Sequence, residues 1–229
     1  MMEAIILAGG FGTRLRQVVP DLPKPMAPVA GRPFLEILLA QLLRSGFSHA
    51  VLALGYRAEI IQEYFGRAFG DLTLSCVVED SPLGTGGATR LAMERCKSDH
   101  AFIFNGDTFL DLDVATVERQ WQANKRPIIV ARPVPDTGRY GRLVIHEGIV
   151  NRFNEKTAAG PGLINAGCYV LAPKMLGHYP LNEPFSLETE YFSPLVLQEP
   201  VDGFICEGDF IDIGIPDDYF RAQSLLANY

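Results

Sequence analysis

A short apolar run near the start of the chain leads directly into three closely spaced glycines and two cations. The run Ala4–Ala8 is followed by the glycine-rich stretch 9–12, then by Arg14 and Lys24. Glycine adopts positive φ and lets a ligand approach closely, so several backbone N–H groups can converge on one anion. Arginine suits bidentate contacts with phosphate oxygens, and lysine supplies a point charge. The pattern therefore predicts a polyphosphate-binding loop that follows the first strand.

Two common glycine-loop motifs do not fit this stretch. A P-loop requires G-x-x-x-x-G-K-[ST], and the pair Lys97-Ser98 has no such glycines before it. The dinucleotide motif G-x-G-x-x-G is half present at Gly10 and Gly12, but Leu15 stands where its third glycine would be. A tight turn without a ligand would account for the glycines alone, but not for the threonine, arginine and proline-flanked lysine that follow.

Two aspartates are candidate ligands for Mg²⁺, because a bound polyphosphate needs a hard cation before another anion can approach it. Asp107 follows a short apolar strand and an Asn-Gly pair, although a turn-capping role is an alternative interpretation. Asp212 stands between two isoleucines, where an unpaired buried carboxylate would be costly. The nearby Asp111 and Asp113 are interpreted as solvated or helix-capping residues.

The stretch 7–15, Leu-Ala-Gly-Gly-Phe-Gly-Thr-Arg-Leu, with Pro-Lys-Pro-Met at 23–26, resembles the signature of sugar-1-phosphate nucleotidyltransferases. Further matching stretches lie at 81–87, 105–107, 165–167 and 210–214, so the resemblance covers essentially the whole chain. It implies a Rossmann-like, three-layer α/β/α fold with a mostly parallel sheet, of the glycosyltransferase A-like nucleotidyltransferase type. It also implies transfer of a nucleoside monophosphate to a sugar 1-phosphate, with release of pyrophosphate.

The resemblance assigns roles to individual positions of this sequence. The implied catalytic residues are Arg14, Lys24 and Asp107, and the implied Mg²⁺ ligands are Asp107 and Asp212. The implied nucleotide-binding residues are Leu7, Ala8, Gly9, Gly10, Gly12, Thr13, Arg14, Glu79, Gly84, Thr85, Gly87 and Asp107. The implied sugar-phosphate-binding residues are Lys24, Tyr140, Gly141, Glu155, Lys156, Asn165 and Gly167.

Base selection depends on the stretch before the 81–87 loop. Pyrimidine-specific relatives often carry a glutamine there, whereas this chain has Glu79. A carboxylate can accept both adjacent donors of guanine, which favours GTP; binding of Glu79 to a backbone amide or to solvent is the alternative. The resemblance alone implies that the acceptor is a heptose 1-phosphate.

Other functions within the same fold stay open from the sequence. They are mannose 1-phosphate with GTP, glucose 1-phosphate with another triphosphate, a phosphorylated alcohol with CTP, and a non-catalytic nucleotide-sugar-binding regulatory subunit. The four histidines are scattered and receive no role. A sugar-phosphate oxygen is already an anionic nucleophile, so the expected catalysis is positioning and charge neutralisation.

Alternating strand and helix patterns must position these residues. The patterns predict strands at Glu3–Ala8, Ala50–Leu54, Leu72–Val78, Ala101–Phe104, Pro127–Arg132, Arg142–Ile145, Ile149–Asn154 and Leu163–Leu171. They predict helices at Phe34–Ser45, Ala58–Phe65, Gly87–Cys96, Val114–Ala123 and Leu187–Leu197, with Ser186 as an N-cap and a closing helix from Pro216. Ligands bind beyond the carboxyl ends of parallel strands, where Gly9 and Asp107 both fall.

Length and charge fit one nucleotidyltransferase domain at 1–229, with a nucleotide-binding half at 1–132 and a sugar-phosphate-binding half at 133–229. The 229 residues are 48% hydrophobic, and the net charge of −7 argues against nucleic-acid and anionic-membrane partners. The four cysteines show no metal-ligand spacing and are expected to be reduced thiols. Without a leader or a long apolar run, a cytoplasmic location is expected; a homodimer is left open.

Overall fold

The computed structural model describes residues 2–154 and 160–229. The strands are β1 Glu3–Ala8, β2 Pro28–Val29, β3 Arg32–Pro33, β4 His49–Leu54, β5 Ala68–Phe69, β6 Leu72–Val78, β7 Ala101–Asn105, β8 Thr108–Leu110, β9 Ile128–Val134, β10 Arg142–His146, β11 Ile149–Asn154, β12 Gly162–Leu171, β13 Asp202–Ile205 and β14 Phe210–Asp212. The α-helices are α1 Phe34–Arg44, α2 Ala58–Phe65, α3 Gly84–Met93, α4 Val114–Asn124, α5 Ser193–Leu195 and α6 Pro216–Leu225. Short 3₁₀ helices lie at Leu15–Gln17, Lys24–Met26 and Pro173–Leu176, and a π-helix lies at Leu187–Phe192.

Ten strands form the central sheet. Their order is β10-β11-β13-β9-β12-β7-β1-β4-β6-β5. β1 lies between β7 and β4 and is parallel to both, and β4 is parallel to β6. All six residues of β4 are buried, as expected of a parallel strand that is covered by helices on both faces. The carboxyl ends of β7, β1 and β4 therefore meet at one edge of the sheet.

The expected parallel pairing links β7, β1, β4 and β6 and also joins β13 to β9, whereas β5 runs antiparallel to β6. β12 runs antiparallel to both β7 and β9, and β10 runs antiparallel to β11 and β12. The short strands β10 and β11 are joined by the two-residue turn 147–148, and such a turn makes antiparallel neighbours. The sheet is consequently mixed, within the expected α/β class.

Helices cover both faces and give the expected three layers. On one face, apolar side chains of α1, α2 and α4, such as Leu39, Ile61 and Trp121, pack in one buried cluster with β1, β4 and β7. On the other face, Ala88 and Ala92 of α3 pack with β-strand residues and with the π-helix in a second cluster.

A two-stranded ribbon carries the second predicted metal ligand to the edge of the sheet. β8 and β14 pair antiparallel, which places Asp212 opposite Thr108. Ile211 and Phe109 of this ribbon are fully buried against α1 and α6. Because Asp107 directly precedes Thr108, the ribbon places Asp212 beside Asp107.

Most predicted element boundaries agree with the structure, and two helices differ. Ser186 caps the π-helix by accepting from the N–H groups of the two residues after Leu187, and α6 begins at Pro216. α3 begins at Gly84 rather than Gly87. The expected helix Leu187–Leu197 is instead a π-helix followed by α5.

Two findings concern the rest of the described chain. None of the helices in 2–154 and 160–229 combines the length and apolar character needed to cross a membrane. The four cysteines, Cys76, Cys96, Cys168 and Cys206, are free thiols.

Candidate active site

The glycine-rich loop leaves β1 at the edge where β4 and β7 also end. Its first glycine is pressed against the chain that follows β4: a Cβ on Gly55 would lie 2.7 Å from the carbonyl oxygen of Gly9. On the other side, a Cβ on Gly106 would lie 2.7 Å from the carbonyl oxygen of Leu7, to which the Gly106 N–H donates at 2.9 Å. Glycine is therefore required on both sides of the loop by close backbone approach, a reason independent of any ligand.

These loops enclose a cleft of about 410 Å³. Its lining includes twelve residues that the sequence predicted for the nucleotide or for catalysis: Leu7, Ala8, Gly9, Gly10, Gly12, Thr13, Arg14, Lys24, Glu79, Gly84, Thr85 and Asp107. A cleft of this size suits a small-molecule ligand, since pockets of this kind measure roughly 300–1,000 Å³. The structure thus brings the residues of three separate sequence stretches to one cavity.

The cleft also contains residues that sequence reasoning missed. They are Phe11, Pro25, Pro82, Ala88, Asn105, Gly106 and Gly214. Most lie inside the stretches that resemble the family signature, and this resemblance could have identified them as site residues. Phe11 is 51% exposed and tilts against the ring of Tyr56 at 5.8 Å between centroids, so an aromatic surface borders the glycine loop.

Lys24 lies between the two predicted metal ligands. Its ammonium donates a hydrogen bond to Asp107 Oδ2 and lies 3.8 Å from Asp212 Oδ1. The lysine side chain is 11% exposed. A Cβ at Gly12 would lie 2.9 Å from Lys24 Cβ, so this glycine, with φ +59°, allows the loop to close over the lysine.

Backbone contacts hold both carboxylates in place. The N–H of Ile213 donates to the carbonyl of Asp107 at 2.9 Å, and the N–H of Gly214 donates to Asp212 Oδ1 at 2.6 Å. Burial, and then the negative charge of Asp107, raise the pKa of Asp212. The positive charge of Lys24 opposes this rise. The centre therefore holds two mutually repelling carboxylates that a cation stabilises.

The donor set at Asp107 and Asp212 fits a divalent cation. Magnesium prefers oxygen ligands and binds through one or two carboxylates together with phosphate oxygens and water. Within 2–154 and 160–229, no group of three or more His, Cys, Asp or Glu side chains could hold a metal ion by itself. A cation at this pair would therefore complete its coordination with substrate oxygens and water.

Glu79 lines the cleft beside Gly9 with one oxygen already engaged. Its Oε2 accepts from the N–H of Leu83 at 2.8 Å, so the alternative interpretation, binding of a backbone amide, is realised for that oxygen. The other oxygen, Oε1, faces the Cα side of Gly9, where an added Cβ would lie 2.7 Å away. Burial raises the pKa of Glu79, and the Leu83 N–H partly offsets this rise.

Gly87 is not among the residues that line the cleft, and its contact with the nucleotide stays a prediction. A Cβ at this position would lie 2.5 Å from the carbonyl oxygen of Glu183. Gly84, with φ +67°, is similarly close to the carbonyl of Phe185, at 2.6 Å. The first turn of α3 is glycine-rich because the segment 183–185 packs directly on it. Gly87 serves this packing, while Gly84 also borders the cleft.

Four of the predicted sugar-side residues, Tyr140, Gly141, Asn165 and Gly167, lie in or beside β10 and β12. The Asn165 N–H donates to the carbonyl of Gly141 at 3.1 Å. A Cβ on Gly167, at φ +70°, would lie 2.5 Å from Asn105 Nδ2, so β12 closely approaches the cleft-lining end of β7. Burial raises the pKa of Tyr140, and the charge of Asp212 adds to the rise. Glu155 and Lys156 lie outside the described residues.

Fold and cleft together define a nucleotide-dependent transferase, and the chain belongs to the nucleotidyl transferase family, whose model matches residues 3–228. The expected family and fold are thus confirmed. Members of this family generally use a divalent metal ion.

Three relatives match this chain over at least 98% of its length. The chain is 38% identical over 229 residues to D-glycero-alpha-D-manno-heptose 1-phosphate guanylyltransferase of Aneurinibacillus thermoaerophilus, with 100% of each chain covered. It is 35% identical to HddC from Yersinia pseudotuberculosis in its crystal structure complexed with GMP-PN, with a TM-score of 0.87 and coverage of 98% and 99% of the two chains. It is 33% identical over 232 residues to mannose-1-phosphate guanylyltransferase of Mycobacterium tuberculosis, covering 98% of this chain and 64% of that one.

Proposed function

We propose that this chain transfers GMP from GTP to D-glycero-α-D-manno-heptose 1-phosphate, giving GDP-heptose and pyrophosphate, with Mg²⁺ as the divalent ion. The observation that carries the proposal is the meeting of Lys24, Asp107 and Asp212 at the edge of the glycine-lined cleft. GTP and a heptose are supported by the guanylyltransferase relative that this chain matches over its entire length.

The proposed reaction needs no side-chain nucleophile. A phosphate oxygen of the sugar 1-phosphate attacks the α-phosphorus of GTP, and the bond from that phosphorus to the oxygen shared with the β-phosphate breaks. The electron pair leaves with pyrophosphate. A phosphate monoester has a second pKa of about 6, so the attacking oxygen carries negative charge at neutral pH without a general base.

The residues of the cleft position the triphosphate and neutralise its charge. The backbone amides of 9–13 and the guanidinium of Arg14 hold the leaving pyrophosphate. Lys24 stabilises charge on the α-phosphoryl group as it transfers, which is the part of the reaction where electrostatic stabilisation matters most. Mg²⁺ held by Asp107 and Asp212 would supply further positive charge to the phosphate oxygens.

Recognition of the two organic groups is divided between the halves of the chain, 1–132 for the nucleotide and 133–229 for the sugar phosphate. Glu79 accepts the guanine donors through the oxygen that Leu83 leaves free. Tyr140, Gly141, Asn165 and Gly167 border the sugar. The acidic and basic residues at 155–156 stay predictions as contacts to sugar hydroxyls and acceptor phosphate, and the homodimer stays a prediction too.

A substrate panel tests this function. Pyrophosphate release is measured with Mg²⁺ across GTP, ATP, CTP, UTP and dTTP, each paired with heptose, mannose and glucose 1-phosphate. The proposal predicts fastest release with GTP and the heptose. Fastest release with another pair would contradict the proposed substrates and leave the reaction class in place.

Two other functions have specific consequences in the same panel. Mannose 1-phosphate with GTP is favoured by the relative from M. tuberculosis, and it predicts release with that pair instead. A regulatory subunit would bind GTP and release no pyrophosphate with any acceptor. Retention of Arg14, Lys24, Asp107 and Asp212 argues against this second alternative, because a nucleotide sensor does not need the paired carboxylates.

A further inference from the structure

Glu188 lies outside the cleft, yet its carboxylate joins the nucleotide side of the site to the sugar side. Its Oε2 accepts from the hydroxyl groups of Thr85 at 2.6 Å and Ser186 at 2.8 Å. Its Oε1 accepts from the hydroxyl of Tyr169 at 2.8 Å. Three donors thus converge on one carboxylate. Of these, Thr85 lines the cleft, and Tyr169 contacts Asn165, a predicted sugar ligand.

On the nucleotide side, Glu188 acts on the first turn of α3. Thr85 lines the cleft, and its hydroxyl donates its one hydrogen to Glu188 and accepts from the N–H of Leu187 at 2.9 Å. The carbonyl of Phe185 also accepts from the N–H of Gly86 at 2.9 Å. These bonds fix the turn that carries Thr85, and they leave its hydroxyl no hydrogen to donate to the nucleotide.

On the sugar side, Glu188 acts through a fully buried tyrosine. Tyr169 is 0% exposed and stacks on Phe192, with ring centroids 5.2 Å apart. Its hydroxyl accepts from Asn165 Nδ2 at 2.6 Å. Asn165 Oδ1 in turn accepts from the N–H of Gly167 at 3.0 Å. The orientation of the Asn165 amide, a predicted sugar contact, therefore depends on the tyrosine that Glu188 holds.

The backbone around Glu188 is unusual in a way that suits this task. Residues Leu187–Phe192 form a π-helix, and the N–H of Ser193 donates to the carbonyl of Glu188. Such wide turns are rare and occur frequently at functional sites. Here the same short element supplies the carboxylate of Glu188 and the ring of Phe192, which together fix Tyr169.

We propose that Glu188 is a positioning residue for both substrates, which holds the Thr85 turn against the nucleotide and, through Tyr169, the Asn165 amide towards the sugar phosphate. This inference rests on the proposed function. It predicts that the two links are separable: Thr85→Val breaks the nucleotide link, Tyr169→Phe breaks the sugar link, and Glu188→Gln weakens both.

The test is the KM for each substrate in these three variants. Because one hydrogen bond contributes about 1 kcal/mol, Tyr169→Phe should raise the KM for the sugar 1-phosphate about five-fold and leave the KM for GTP within about two-fold. Thr85→Val should do the reverse, and Glu188→Gln should raise both. Equal changes in both KM values for Thr85→Val and Tyr169→Phe, or no KM change in Glu188→Gln, would overturn the proposal.

Glu190→Gln is the matched control. Glu190 is an exposed residue of the same π-helix and accepts from the N–H of Ser186 at 2.7 Å. Its variant should lower the melting temperature at most slightly and leave both KM values unchanged. A KM shift in this control as large as that of Glu188→Gln would show a purely structural effect and overturn the proposal.

Failure of the proposed function would be distinguishable. If the wild type turns over no sugar 1-phosphate, titration of GTP still tests the nucleotide link. Weaker GTP binding in Thr85→Val and Glu188→Gln, with unchanged binding in Tyr169→Phe, would support that link. Equal binding in all three variants, or none in the wild type, would overturn it.

Discussion

Lys24 donates a hydrogen bond to the carboxylate of Asp107, although 83 positions separate the two residues in the sequence. The ammonium thereby neutralises part of the combined negative charge of the Asp107 and Asp212 carboxylates. In the proposed reaction, the same lysine stabilises charge on the α-phosphoryl group once triphosphate and divalent cation bind. Asp107 is thus expected to hold the lysine before substrate binds and to hold the cation afterwards.

Asp107→Asn should abolish most turnover while the fold is retained. The variant loses one charge of the carboxylate pair and the ionic partner of Lys24, so we expect kcat to fall on the order of 10²-fold to 10³-fold. Pyrophosphate release under saturating substrates measures the loss, and thermal melting measures the fold.

Asp113→Asn controls for a charge change in the same region. Asp113 accepts from the N–H of Thr116 and caps α4, and asparagine caps a helix equally well. This variant should keep wild-type turnover. Near-normal turnover in Asp107→Asn would contradict a catalytic role for Asp107.

Glu79→Gln should reduce the preference for GTP. The amide can still accept the Leu83 N–H, but its NH₂ group opposes the guanine donors where the carboxylate accepts them. A hydrogen bond to a charged group contributes about 1.5–3 kcal/mol, so the ratio of kcat/KM for GTP over ATP should fall at least ten-fold. Asp80→Asn is the control, because Asp80 is the exposed neighbour of Glu79. An unchanged ratio in Glu79→Gln would exclude Glu79 from base recognition.

Gly87→Ala should destabilise the fold even though alanine favours helices. The new Cβ would lie 2.5 Å from the Glu183 carbonyl, and such overpacking typically costs about 1–3 kcal/mol. Urea denaturation measures the free energy of unfolding. Gly10→Ala, whose Cβ would meet nothing within 4 Å, should leave it unchanged. Unchanged stability with weaker GTP binding in Gly87→Ala would instead restore the predicted nucleotide contact.

Glu3 should make the stability depend on pH in acid. Glu3 is 1% exposed, and burial alone would raise its pKa. Hydrogen bonds from the Ser98 N–H, His49 and the Lys97 N–H outweigh burial and lower the pKa. A lowered folded-state pKa means that the stabilisation is complete above the ordinary pKa of about 4.3 and is lost as the pH falls through the folded-state value.

Glu3→Gln measures this contribution. The amide removes the charge that strengthens these hydrogen bonds, so the variant should lose about 1–3 kcal/mol at pH 5, and the deficit should shrink towards pH 3. Denaturation of both proteins across this range gives the two curves, with the exposed Glu59→Gln as control. A deficit that stays constant down to pH 3 would contradict the account of the carboxylate.

The sequence was sufficient for features that depend on local pattern. β1 was predicted to the residue because an apolar run ends at consecutive glycines, and Asp107 was expected at a strand end for the same reason. That Asp107 meets Asp212 depended on the family resemblance. The pairing of β8 with β14 joins distant parts of the chain, and no local periodicity indicates it.

Features created by contacts between distant segments were not predictable. The sequence predicts a nucleotide contact for Gly87 and gives no sign that its missing side chain also makes room for Glu183. A π-helix stands where an α-helix is expected because the Ser193 N–H reaches back five residues to Glu188, and Pro194 has no N–H to donate to an earlier carbonyl. Nothing in the local pattern of Glu188 indicated that its carboxylate would bind both Thr85 and Tyr169.

The central claim, direct attack of the sugar phosphate on the α-phosphorus, is tested most directly by stereochemistry. The protein is supplied with one diastereomer of GTP that carries sulfur on the α-phosphorus, together with the sugar 1-phosphate that gives fastest turnover. The configuration at phosphorus is then determined in the nucleotide-sugar product. A single in-line displacement predicts inversion of configuration. Retention would require two displacements through a nucleotidyl-enzyme intermediate and would contradict the account.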